Sequence, residues 1–126
     1  MSQEIGLQAA LTYSNPAVPV VGVALSFALK KFNIAGSAFQ EGIQSIPTTA
    51  GGTALSVSGL ATLGFYFVIN TDTVHYVELM DAVSGNKICK IPAGACAVGY
   101  FPTGCTAPAA LANTAAVKIQ YLFLEQ

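Results

Sequence analysis

Punctuation constrains this chain more than anything else in it. Short runs of aromatic and β-branched residues are broken every eight to twelve residues by glycine, proline, asparagine or aspartate. Such runs fit a pleated surface and lose side-chain freedom in a helix, so the chain reads as many short strands. Residues 63–80 are the clearest stretch. Leu63 to Ile69 and Val74 to Met80 flank Asn70-Thr71-Asp72-Thr73, four small polar residues suited to a turn. The expectation is two strands joined as a hairpin.

The remaining segments follow the same logic. Ile5 to Tyr13 starts a strand that Asn15-Pro16 stops, because proline pushes the preceding residue out of the helical region. In Val18 to Phe32, Val23, Leu25, Phe27 and Leu29 alternate with Ala24, Ser26, Ala28 and Lys30, the period of a half-buried strand. Residues 33–47 carry Gly36, Gly42 and Pro47 and read as short extended pieces and turns, at 32–34 and 44–46. A glycine-rich loop at 48–53 precedes a short strand over 54–57. Further strands are expected over 87–91 and 95–101, each ended by a proline-glycine turn, with one extended segment inside 106–113. At the C-terminus, Val117, Ile119, Tyr121 and Phe123 alternate with Lys118, Gln120, Leu122 and Leu124. The second set changes from polar to apolar, as in a strand that runs from solvent into a contact with a neighbour.

The pattern predicts an all-β chain. Residues 1–126 form a single-domain β-sandwich of about eight short antiparallel strands, jelly-roll or Greek-key like. Composition then says what surrounds it. Apolar residues make up 53% of the chain and charged residues 9%, against about 25% charged in an ordinary soluble domain. Something must cover the surface that charge would otherwise solvate. The longest apolar stretches, 17–29 and 55–69, are too short or too interrupted by Pro19, Gly22, Ser56, Ser58, Gly59 and Gly64 to span a membrane as helices. The first residues carry Glu4 and no basic segment of a secretory signal. With no membrane, neighbouring subunits remain. Net charge is −1, and the five basic residues are all lysines. Without arginine or a basic stripe, no nucleic-acid partner is expected.

No constellation points to catalysis. His75 is the only histidine, near Asp72 and Glu78, and no serine sits in a Gly-x-Ser-x-Gly elbow. Cys89, Cys96 and Cys105 are seven and nine positions apart, unlike the close pairs of a structural zinc site. An odd count suits a reducing cytoplasm, with the thiols as small buried hydrophobes. Neither a cofactor nor a metal is expected, and the chain reads as a non-enzyme. A ligand-binding reading centres on Tyr76, Asn70 and Asp72, an aromatic with polar loop residues suited to a glycan.

Several segments, in order, carry a resemblance: Ile43 to Thr49, Gly64 to Phe67 leading to Asn70-Thr71-Asp72, and Tyr76 to Leu79. The Ile91-Pro92-Ala93-Gly94 turn follows, then Ala112 to Val117, Ile119 to Leu122, and Leu124-Glu125. Together they resemble small virion structural proteins of tailed bacteriophages, the decoration or cement and minor head or tail proteins. The segment Cys96-Ala97-Val98-Gly99-Tyr100 departs from the more charged strand of that group. The resemblance implies a virion protein assembled in the host cytoplasm, with no catalytic residues. Its expected partners are itself, as a trimer suited to local three-fold positions, and the major capsid or other virion proteins. A glycan- or receptor-binding module of a tail or fibre is the alternative. The expected contact residues are the outward-facing Leu122 and Leu124, with Tyr100 and Phe101 beside a proline-glycine loop.

Overall fold

The structure is a computed structural model; it describes the backbone of residues 3–7, 10–14, 22–26 and 30–34, and all of residues 38–126. It divides into two compact units, Met1–Ala35 and Gly36–Gln126. In the first, β1 (Gln3–Leu7) pairs antiparallel with β4 (Lys30–Ile34). Between them in the chain, β2 (Ala10–Ser14) pairs with β3 (Gly22–Ser26). Each of the two strands expected here is therefore two shorter ones. Phe27, Leu29 and the Asn15-Pro16 stop lie outside the described residues.

The second unit contains eight strands and no helix among its described residues. They are β5 (Phe39–Ile46), β6 (Thr53–Ala54), β7 (Leu63–Asn70), β8 (Val77–Met80), β9 (Lys87–Ile91), β10 (Cys96–Tyr100), β11 (Ala109–Ala112) and β12 (Val117–Glu125). One sheet has the order β10-β7-β12-β5 and the other β6-β11-β8-β9, both antiparallel. The pairs β5 with β12, β6 with β11, β7 with β10 and β8 with β9 are nested in sequence. Strands β5, β6 and β7 pair with β12, β11 and β10, and β8 and β9 sit at the fold-over.

One core lies between the two sheets, which makes the unit a small β-sandwich. Val117, Ile119, Tyr121 and Phe123 of β12 point inward, each at most 4% exposed, as their alternation predicted. They meet Val77, Leu79, Ile91, Ala110 and Ala112 of the opposite sheet. The rings of Tyr121 and Phe123 stack at 4.7 Å, and Phe101 stands edge-on to Phe123 at 5.0 Å. Both edge strands of the first sheet carry a glycine opposite a tyrosine: Gly42 faces Tyr121 and Gly99 faces Tyr66. A Cβ at either glycine would lie 2.7 Å from the tyrosine hydroxyl, so the missing side chain is the space in which the ring lies.

Two expectations fail here. Residues 63–80 are not a hairpin, because β7 and β8 belong to different sheets. The turn-like residues form an arch, and Asn70 is its pin. Fully buried, Asn70 donates from Nδ2 to the carbonyls of His75 (2.8 Å) and Ile91 (3.1 Å), and its Oδ1 accepts from the Asp72 amide (2.9 Å). The side chain thereby satisfies backbone groups that a hairpin ladder would otherwise have paired. Residues 39–46 are likewise one eight-residue strand, not scattered pieces. Gly42 does not break it, since the Tyr121 ring fills the gap and β12 supplies a full antiparallel ladder.

Candidate functional site

The outer side of the β10-β7-β12-β5 sheet is the most unusual surface of the molecule. Side chains alternate across a strand, so the residues opposite each other in the register share a face. On the outer face, Val98, Phe67, Leu122 and Glu41 form one row across the four strands, and Cys96, Ile69, Gln120 and Ile43 form the next. A third row holds Tyr100, Phe65, Leu124 and Phe39. Nine of these twelve positions are aliphatic or aromatic. A shallow depression of about 480 Å³ lies at the middle, lined by Glu41, Ile43, Phe67, Ile69, Gln120 and Leu122 with Gly42 and Tyr121.

Strand β5 makes the point most sharply. It turns Gln40, Gly42 and Gln44 toward its own sandwich, and turns Phe39 and Ile43 away from it, 61% and 67% exposed. Gln44 Nε2 even donates to the Ala54 carbonyl of the opposite sheet at 3.0 Å. A strand that serves only its own core places its apolar residues inward. In β5 only the last residue, Ile46, is buried in the core, while the other two large apolar residues face outward.

Of the four contact residues expected from the sequence, Tyr100, Leu122 and Leu124 lie on this face. Leu122 and Leu124 are half-buried and Tyr100 is half exposed. The ring of Tyr100 stands edge-on to Phe65 at 5.7 Å. Phe101 does not belong with them. It is 6% exposed and packs inside against Tyr66 and Phe123, because alternation sends the residue after Tyr100 to the other side of the sheet. The sequence reading missed Phe39, Ile43, Phe67, Ile69 and Val98. The alternation of Phe39, Glu41, Ile43 and Ser45 with Gln40, Gly42 and Gln44 was the available signal.

The residues of the glycan reading do not form an open site. Asn70 is buried and its amide is committed to the arch. Asp72 Oδ1 accepts the backbone N–H groups of Val74 and His75, both at 2.7 Å. Those donors, first His75 and then Val74, hold its carboxyl below the ordinary carboxylate range. His75 Nδ1 stands 3.3 Å from the same oxygen. Tyr76 is half-buried beneath the Lys90 ammonium, 3.6 Å from the ring centre.

The three cysteines are free and dispersed. Burial pushes the Cys89 thiol up, while its contact with the Tyr66 hydroxyl pulls the other way. Cys96 is exposed on the outer face, and the Cys105 thiol donates to the Asp81 carbonyl at 3.2 Å. Among the described residues no three side chains of the metal-binding types come together. No protein-family model matches the chain, and neither a curated protein nor a solved structure matches it.

Proposed function

We propose that the chain is a non-enzymatic structural protein of a virion. In this reading it is a capsid decoration or cement protein that stabilises the shell through subunit contacts, made with copies of itself and with capsid proteins. The outer face of the β10-β7-β12-β5 sheet carries this reading. It offers an apolar surface across four strands, with one strand whose amphipathicity is directed outward. Contiguous exposed apolar patches on small domains mark places where another macromolecule docks. The low overall charge fits a body whose surface is hidden after assembly. The nested strand pairing supports a jelly roll, a sandwich of two Greek keys recurrent among capsid proteins. The resemblance of residues 43–125 to virion proteins of tailed bacteriophages points the same way.

The test is co-sedimentation of the purified full chain with assembled shells of the major capsid protein encoded beside it. Binding to shells, with a rise in their melting temperature, is the expected result. A chain that stays in the supernatant at saturating concentrations overturns the shell-binding reading.

A further inference from the structure

We infer that the outer face of the β10-β7-β12-β5 sheet is completed by the same face of a second copy, across a two-fold axis near Ile43 and Gln120. The inference rests on the assembly reading above and adds the identity and geometry of one partner. Its basis is charge. Glu41 and Lys118 are exposed on this face and have opposite signs. Glu41 pairs in register with Leu122, four residues along β12 from Lys118. At about 3.3 Å per residue the two are roughly 13 Å apart, too far to pair with each other. Among the described residues neither has an ion-pair partner.

A surface that meets itself must be self-complementary: if residue i meets residue j, then j meets i. A single two-fold axis running across the strands, midway between the two charges, brings Glu41 of each copy to Lys118 of the other. It forms two ion pairs at once. The midpoint falls at the row containing Gln120 and Ile43, which are register partners, so each of these meets its own counterpart. The same operation lays Ile69 and Cys96, which share that row, against their own counterparts, and sets Leu122 over the aliphatic stem of Lys118 of the other copy. The shallow depression then sits at the centre of the contact. A face packed on itself closes as a pair; a trimer would need a different, head-to-tail contact.

Four strands about 4.8 Å apart and five to nine residues long give a footprint of roughly 400 Å² per copy. Counted over both copies that is about 800 Å², below the standard size of a stable interface, so the contact is weak and association belongs in the micromolar range or above.

The experiment is a charge swap on the full chain, followed by sedimentation equilibrium from about 1 to 200 μM. The wild-type chain is expected to form a dimer. Glu41→Lys alone and Lys118→Glu alone should each weaken it by about tenfold or more, because like charges then oppose across the axis. The double variant should regain most of the wild-type affinity. Circular dichroism melts confirm that all four proteins fold, since both positions are exposed. As a second measurement, Ile43→Cys in a Cys96→Ser background should form a covalent dimer on mild oxidation.

A chain that associates but whose double variant is no better than the singles, or whose mass is that of a trimer, overturns the two-fold contact and leaves the assembly reading standing. A wild-type chain that stays monomeric throughout overturns this contact and self-assembly together.

Discussion

The two outer faces of the sandwich have four strands each and share one core, yet they treat charge in opposite ways. On the β6-β11-β8-β9 side, Glu78 binds Lys87 through an Nζ–Oε2 contact of 2.8 Å, and Lys90 caps the Tyr76 ring. Glu78 is paired and both lysines have a side-chain partner within the chain, and Leu111 is the one large apolar residue of β11. On the β10-β7-β12-β5 side, Phe39 and Ile43 stand exposed while Glu41 and Lys118 have no ion-pair partner among the described residues. The first face is finished for water. The second leaves those two apolar side chains exposed and its two charges unpaired among the described residues. The difference teaches that the exposed large apolar residues of strands β5 to β12, Phe39, Ile43 and Tyr100, all lie on one sheet, with Val74 and Val83 exposed in loops.

The largest effect should come from placing a charge inside the apolar face. Ile43→Asp puts a carboxylate at the row where the two copies meet, opposite its own counterpart. Burying that charge in a contact costs about 3 kcal/mol or more, a loss of self-association of at least about 100-fold. Sedimentation equilibrium reads the loss, while the melting temperature of the protomer changes little because Ile43 is 67% exposed. The matching change on the other face, Leu111→Asp, should leave the mass unchanged. If both variants dissociate the assembly equally, the comparison between the faces is wrong.

The next effect lies between the faces. Asn70→Ala removes the amide that ties the end of β7 to the Ile91 carbonyl of the other sheet, and strands the Asp72 amide and two carbonyls. Leaving buried polar groups unpaired should cost about 2–3 kcal/mol, measured as a lower urea midpoint at an unchanged slope. An unaltered midpoint would show that the sheets are held together without this pin.

Much of this architecture was legible before the structure was known. The inward set of β12 and the outward Leu122 and Leu124 follow from period two alone, because the inward residues pack on the opposite sheet. The arch at 70–76 was not legible. A strand pair joined by a few polar residues looks the same in sequence whether the second strand returns beside the first or crosses to another sheet. The distinction rests on an asparagine side chain reaching Ile91, twenty-one residues later. Strand β5 was obscured for a related reason. Its inward residues before Ile46 are two glutamines and a glycine, so its inward hydrophobic pattern is weak. The register of Tyr100 on the face and Phe101 in the core shows the limit of reading apolar pairs as patches. Adjacent residues on a strand belong to opposite surfaces.

A smaller effect probes the shared interior by pH. Tyr66 of β7 reaches across the core to Cys89 of β9, and burial, followed by the Cys89 charge and hydrogen bond, pushes its phenol up to about 12. The unfolded phenol titrates near 10. Between those values the unfolded chain releases the proton and the folded chain keeps it. The contribution is therefore fully present below about pH 10 and is lost as pH rises from there toward 12. Tyr66→Phe should cost about 1 kcal/mol at neutral pH and make stability less dependent on pH above 10. A variant as alkali-sensitive as the wild type would assign that loss to other groups.

The smallest effect is expected on the finished face, and its smallness is informative. Lys87→Ala deletes the partner of Glu78, but the lysine is 63% exposed, and water and salt screen such a pair. Contact with Glu78 raises the Lys87 ammonium above its ordinary value, which says that the pair forms and not that the fold depends on it. Neither the melting temperature nor the sedimentation mass should move measurably. Lys118→Ala on the other face is the proper comparison, since it also removes one lysine from an exposed strand position. If the two faces differ as argued, the two alanine variants melt alike while only Lys118→Ala weakens self-association. A loss of association from Lys87→Ala would mean that the neutralised face also meets a neighbour, and that pairing charges within the protomer does not mark a surface left to solvent.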